Sequence, residues 1–128
     1  MIILIDTSTP LCRLTFIKGT DRYDYEWQAD RELAKGLLGQ LDQQLQTHGW
    51  TWQDITGLGV FKGPGSFTGL RIGITVFNTL ADSMSVPIVG ETGDAWQSVA
   101  VQRLSQGEND KIVLPFYGSD ARITTPRK

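Results

Sequence analysis

The chain has only one cysteine and one histidine among its 128 residues. A lone Cys12 excludes a disulfide framework and suits a reducing compartment; set in an alternating apolar segment, it reads as a small core residue. A lone His48 leaves no histidine pair to hold a metal, and Cys12 with His48 is a poor nucleophile-and-base pair. Basic excess is missing too. Twelve Lys and Arg against 14 Asp and Glu give a formal charge of −2, so no global positive field holds nucleic acid by its phosphates. Trp27, Trp50, Trp52 and Trp96 are not interleaved with Lys or Arg, as a single-strand-binding surface would require, and read as packing residues. No apolar run is long enough to cross a bilayer, and Met1 to Asp6 lacks the basic lead and cleavage site of a signal peptide. The expected location is cytoplasmic. Internal repeats and low-complexity tracts are absent as well.

What is present alternates strand and helix signals. Ile2 to Ile5 is a continuous apolar run closed by Asp6-Thr7-Ser8-Thr9-Pro10, the mark of a strand covered on both faces. Leu11 to Ile17 alternates, Lys18-Gly19-Thr20-Asp21 turns, and Arg22 to Trp27 completes a meander. From Asp30, read as an N-cap, Leu33, Leu37, Leu41 and Leu45 recur every four residues until Gly49, which suits a left-handed helix end. Gly36, Gly39, Gln40, Gln43 and Thr47 form a second face of small and amide side chains. Ile55 to Phe61 is a strand, and Gly63-Pro64-Gly65 breaks it. Ser66 or Thr68 caps a helix running to about Met84. Val86 to Val89 and Asp94 to Leu104 supply a further strand and helix. The order predicts a single α/β domain, a mixed sheet with helices on its faces, with residues 1–104 as its body and 105–128 as a short remainder and tail.

The helix after the glycine turn is unusual in its apolar width. Leu70, Ile74, Phe77, Ala81 and Met84 share one face, and Gly69, Gly73, Val76 and Leu80 a neighbouring one; with Ile72 they cover about half the circumference, more than the stripe of roughly 100° that one sheet requires. This predicts burial on two sides, once by the chain's own domain and once by a neighbour. Gly69 and Gly73, one turn apart, would admit another backbone closely.

A glycine turn at a helix start also raises phosphate binding. Its spacing fits neither standard loop: Lys62 precedes the glycines instead of following them, and Gly63, Gly65 and Gly69 are one residue too widely spaced for the dinucleotide pattern. Asp6, Gly63 and Gly65 are weak cofactor candidates. They define the competing reading of a small ATP-binding phosphotransferase or ATPase using Asp6 and the glycine turn. Asp6 is better explained as a turn former bonding its own backbone, and nothing in the sequence pairs it with Asp54 or Asp120.

Ile5-Asp6-Thr7-Ser8-Thr9 and the run Gly63-Pro64-Gly65-Ser66-Phe67-Thr68-Gly69-Leu70-Arg71-Ile72-Gly73 resemble the signature of the bacterial TsaB (YeaZ) family. The likeness extends through Arg31-Glu32 and Val86 to Gly90, over roughly residues 1–104, and returns at Pro115 to Gly118 with Ile123-Thr124. It implies an actin-like, ribonuclease-H-like mixed sheet flanked by helices. It also implies a place in the making of N6-threonylcarbamoyladenosine at position 37 of tRNA, as a non-catalytic dimerisation subunit. The implied partners are a TsaD-like catalytic subunit, which would carry ATP and metal, and a TsaE-like ATPase. A homodimer is the alternative use of the same face, and tRNA is met only indirectly. By this resemblance the partner interface falls on Leu33, Gly36, Leu37, Gln40, Gln43, Gly69, Gly73, Val76 and Leu80. Ser8 stands where nucleotide-binding members of the wider superfamily place a glycine. Family members carry a second domain before the tail, where this chain has only Ser105 to Leu114, as a shortened member would.

Overall fold

A computed structural model describes residues 1–117. Asp120, Arg122, Ile123-Thr124, Arg127 and Lys128 therefore lie outside the described residues. Five strands, β1 (Ile2–Asp6), β2 (Leu11–Lys18), β3 (Asp21–Gln28), β4 (Gly57–Phe61) and β5 (Ile88–Glu91), form one sheet in the order β3-β2-β1-β4-β5. The first three pair antiparallel as a meander, while β1–β4 and β4–β5 are parallel. The helices are α1 (Leu33–Thr47), α2 (Phe67–Met84) and α3 (Trp96–Ser105). The mixed sheet expected from the residue pattern is present.

Both faces of β1 are covered, which explains its unbroken apolar run. Ile3 and Ile5 join the larger core with Leu14, Phe16, Leu37, Leu41, Leu70 and Phe77; Leu4 joins a smaller one with Val89, Trp96 and Ala100. Helices α1 and α2 thus cover one face and α3 the other. Because β3, β4 and β5 all run parallel to β1, the crossovers α1 and α2 return in the opposite sense and lie parallel to each other.

The helix ends show how local residues set the frame. Gly49, at φ +72, places its N–H on the Gln46 carbonyl, and the Trp50 N–H reaches Leu45 O at 2.8 Å, a paired C-terminal closure. At the start of α2, Ser66 is the N-cap and its Oγ accepts from the Gly69 N–H at 3.3 Å. Ser66→Ala should cost about 1 kcal/mol in a urea melt, whereas Ser66→Asp should retain most of the stability. The expected N-cap at Asp30 is corrected. Asp30 takes φ +48 at the head of a 3-10 turn (Asp30–Glu32), its carboxylate accepts from Gln28 Nε2, and α1 begins only at Leu33.

Candidate functional site

The first turn and the glycine turn are built against each other. Asp6 Oδ1 accepts from the Ser8 N–H at 2.9 Å, the turn-forming role expected of it. The Ser8 carbonyl accepts from the Ser66 N–H at 2.8 Å, and a Cβ on Gly65 would meet that carbonyl at 2.8 Å. Thr7 is buried, donates its hydroxyl to Gly69 O at 2.7 Å, and occupies the space a Cβ on Gly73 would need. Among the described residues no carboxylate pair forms around Asp6. Asp54, whose carbonyl accepts from the Met1 amino group, sits at the opposite end of β1.

Across the glycine turn runs the segment Val113 to Tyr117. Asn78 grips it with both ends of its amide, donating to Val113 O and accepting from the Val113 N–H at 2.9 Å each. The Phe116 N–H donates to Lys62 O at 2.6 Å, and the Phe116 carbonyl fills the place of a Gly63 side chain. Tyr117 stacks on Phe67 at 4.8 Å, and the Arg71 guanidinium lies over the Phe67 ring at 5.2 Å.

Several residues expected at a partner interface face the chain's own interior. Leu33 and Leu37 are core residues. Gly36 lies under Trp27, whose ring a Cβ would meet at 2.7 Å, and Gln40 Oε1 accepts from the Tyr25 hydroxyl at 2.6 Å. Gly69 and Gly73 admit a close neighbour as anticipated, but that neighbour is Thr7 of the same chain. Burying α1 against β3 and β1 against α2 uses up these positions. Gln43 is exposed, and Val76 and Leu80 are half-buried.

The accessible side of the helix pair is a groove of about 380 Å³ lined by Ala34, Thr68, Arg71, Ile72, Thr75 and Val76. It continues into a more enclosed hollow of about 280 Å³ that shares Thr68 and Ile72 and includes Thr9, Pro10, Arg31 and Ser66. Leu38, one turn beyond Ala34, is 51% exposed. In the sequence Ala34 and Leu38 stand beside the four-residue leucine repeat, and their own spacing places them on one adjoining face; Thr75 carries no such signal.

A second cluster escaped sequence reading altogether. Arg103 on α3 binds Glu91 at 2.8 Å, Glu108 at 2.7 Å and Asp110 through a short pair. The hydrogen bonds that Arg103 donates to Asp110 and Glu108 lead in holding its guanidinium charged well above its usual range, against some desolvation. At Asp110, burial pushes the carboxyl up, but bonds from Arg103 and the Gly90 N–H, with the charges of Arg103 and Lys62, outweigh it and hold the group below its ordinary value. Cys12 is pushed up to about 12, first by burial and then by the charge of Asp6, so the thiol stays protonated and inert. Among the described residues no group of three or more His, Cys, Asp or Glu side chains is placed to hold a metal ion.

A family model described as TsaD, tRNA N6-adenosine threonylcarbamoyltransferase, matches residues 27–93. A protein of Escherichia coli K12 named tRNA threonylcarbamoyladenosine biosynthesis protein TsaB is 37% identical over 90 residues, covering 70% of this chain and 38% of its own. The chain belongs to the TsaB (YeaZ) family. A TsaB of Buchnera aphidicola from Schizaphis graminum is 28% identical over 98% of this chain and 62% of its own length. The TsaB of Bacillus subtilis 168 reaches 56% identity over 70 residues, 55% of this chain and 28% of that one. YeaZ from Pseudomonas aeruginosa superposes with a TM-score of 0.68 at 25% identity, covering 83% of this chain and 49% of the other, and so shares the actin-like fold. The chain spans from 28% to 62% of the length of these TsaB relatives. No helix among the described residues is long and apolar enough to cross a membrane.

Proposed function

We propose that this TsaB-family chain is a non-catalytic subunit of the cytoplasmic apparatus that makes threonylcarbamoyladenosine in tRNA, and that it docks on a TsaD-like catalytic subunit through the outer side of α1 and α2. The observation that carries this reading is the groove between the two helices. Its aliphatic floor of Ala34, Ile72 and Val76, with Leu38 exposed alongside, is left open by the described residues. A non-catalytic role is supported by how the two turns are spent. The Ser66 N–H goes to Ser8 O, the Gly69 N–H to Ser66 Oγ, and Asp6 to its own turn, so the glycine turn is packed against protein where a phosphate loop would need open amides. The TsaE-like ATPase and tRNA would join through the catalytic subunit, and a homodimer would use the same groove when that subunit is absent.

The test is affinity for the TsaD-like subunit of the same genome, measured by calorimetry on purified full-length chains. Val76→Glu places a carboxylate on the groove floor and should weaken binding at least about tenfold, roughly 1.4 kcal/mol, with an unchanged circular dichroism spectrum. Leu38→Glu should act in the same direction. Undiminished affinity in both variants would overturn the assignment of this face.

A further inference from the structure

The hollow of about 280 Å³ is lined by two opposite charges. Asp30 and Arg31 enter it from the link between β3 and α1, Pro10 from the turn after β1, and Ser66, Thr68 and Ile72 from the start of α2. The link is fixed in place, since the Pro10 carbonyl accepts from the Ala29 N–H at 3.0 Å and from the Asp30 N–H at 3.3 Å. Asp30 there takes φ +48, a left-handed conformation that a residue with a side chain keeps only where its surroundings impose it. Its Oδ1 accepts from Gln28 Nε2 at 2.8 Å. Among the described residues no hydrogen bond or ion pair takes Asp30 Oδ2, the Arg31 guanidinium or the Thr68 hydroxyl. Ser66 Oγ accepts from the Gly69 N–H, which leaves its own proton to donate. Glu32, next along the chain, is exposed and lines neither the hollow nor the groove.

From this juxtaposition we infer that the hollow binds the zwitterion of a small aliphatic α-amino acid, a ligand that the docking of a partner subunit neither requires nor supplies. One carboxylate and one guanidinium leave the lining without net charge. A simple anion such as phosphate is repelled by Asp30 and a simple cation by Arg31, whereas a zwitterion is attracted by both. The planar fork of Arg31 and the hydroxyls of Ser66 and Thr68 are donors for the ligand's carboxylate, and Asp30 Oδ2 is an acceptor for its ammonium. Pro10, Leu33 and Ile72 supply apolar wall for its side chain. Size sets the class of molecule: the hollow falls just below the range of about 300–1,000 Å³ that holds drug-sized ligands. No aromatic residue lines it to stack a base, which sets a nucleotide aside. Asp30, Arg31, Ser66 and Thr68 are exposed, so the ligand enters from solvent and its charges stay partly hydrated. Binding is accordingly weak, with a Kd of about 1 mM.

The test is a titration of the isotope-labelled full-length chain by amide NMR, with no partner subunit present. The probes are L-valine, 3-methylbutanoate, which lacks the ammonium, and isobutylamine, which lacks the carboxylate. L-Valine should give saturable shifts at the amides of Asp30, Arg31, Ser66 and Thr68, and each truncated probe should bind at least about tenfold more weakly. Two variants assign the charges. Arg31→Gln should make L-valine bind no better than isobutylamine, and Asp30→Asn no better than 3-methylbutanoate; asparagine tolerates the left-handed conformation, so the link keeps its shape. Lys35→Gln, which touches neither cavity, should bind L-valine as the wild type does. The probe comparison in the wild type stands whether or not a variant folds. Absence of saturable shifts at L-valine concentrations about twentyfold above 1 mM would overturn the inference. So would 3-methylbutanoate binding as tightly as L-valine, which would make the hollow a site for anions only, and so would equal affinity for all three probes.

Discussion

Gly73→Ala should lower the unfolding free energy by about 2 kcal/mol, although alanine normally gains about 1 kcal/mol over glycine inside a helix. The reversal of sign is the point of the experiment. Gly73 is buried in α2, and a methyl group there would overlap Thr7 Oγ1 and approach Thr7 Cγ2 at 2.8 Å. Thr7 cannot step aside freely, because its hydroxyl is bound to Gly69 O and its carbonyl fills the space of a Gly69 side chain. Gly39 is the internal control: in α1, with nothing within 4 Å of an added Cβ, Gly39→Ala should stabilise by up to about 1 kcal/mol. Urea denaturation of the two variants decides the matter, and Thr7→Ala combined with Gly73→Ala should recover part of the loss through relief of the overlap. Equal stabilisation by both alanines would remove the Thr7 contact from the account of α2.

Arg103→Met should cost about 2 kcal/mol at neutral pH. Removing one partner of a charge cluster leaves the others uncompensated, and the figure is set below that for a fully buried pair because the carboxylates are partly exposed. Acid should narrow the difference. The Asp110 carboxyl is held below its ordinary value in the folded chain, so the unfolded chain takes up its proton first as pH falls. The stability this supplies is complete above the unfolded pKa of about 3.9 and is lost as pH drops through the lower folded value. Thermal melts of the wild type should therefore fall steeply below about pH 4, and those of Arg103→Met less steeply. Parallel curves would show that Asp110 owes its acidity to something other than Arg103.

Elements defined by periodicity were legible. The stop at Met84, the cap at Ser66 and the closure by Gly49 and Trp50 all depend on residues within a turn of one another. Boundaries shifted where a neighbour's side chain intervened. β4 begins at Gly57, not Ile55, because Trp52 to Asp54 form a 3-10 turn closed by the Thr51 and Asp54 side chains. Gly69 and Gly73 of α2 were legible as close-approach positions; of the α1 glycines, Gly36 meets a neighbour and Gly39 does not. What approaches them was not legible, since Thr7 precedes Gly73 by most of the sheet and Trp27 reaches Gly36 from an edge strand. Arg103 gathers its carboxylates from a strand end and a loop, and no spacing rule connects those positions.

The meander leaves β3 as an outer strand, and its sequence governs how the chain behaves when crowded with its own kind. An open edge invites another strand to add, and repeated addition leads to fibres. On β3 the aromatic residues Tyr25 and Trp27 are turned toward the larger core, while Arg22, Asp24, Glu26 and Gln28 are exposed. Like-charged carboxylates at Asp24 and Glu26 would face their copies in a parallel, in-register stack, and Arg22 is already engaged by Asp24 and Gln97. The charges that look dispensable in a single molecule thus act as gatekeepers of solubility, protecting the fold at an edge to which none of the described strands pairs.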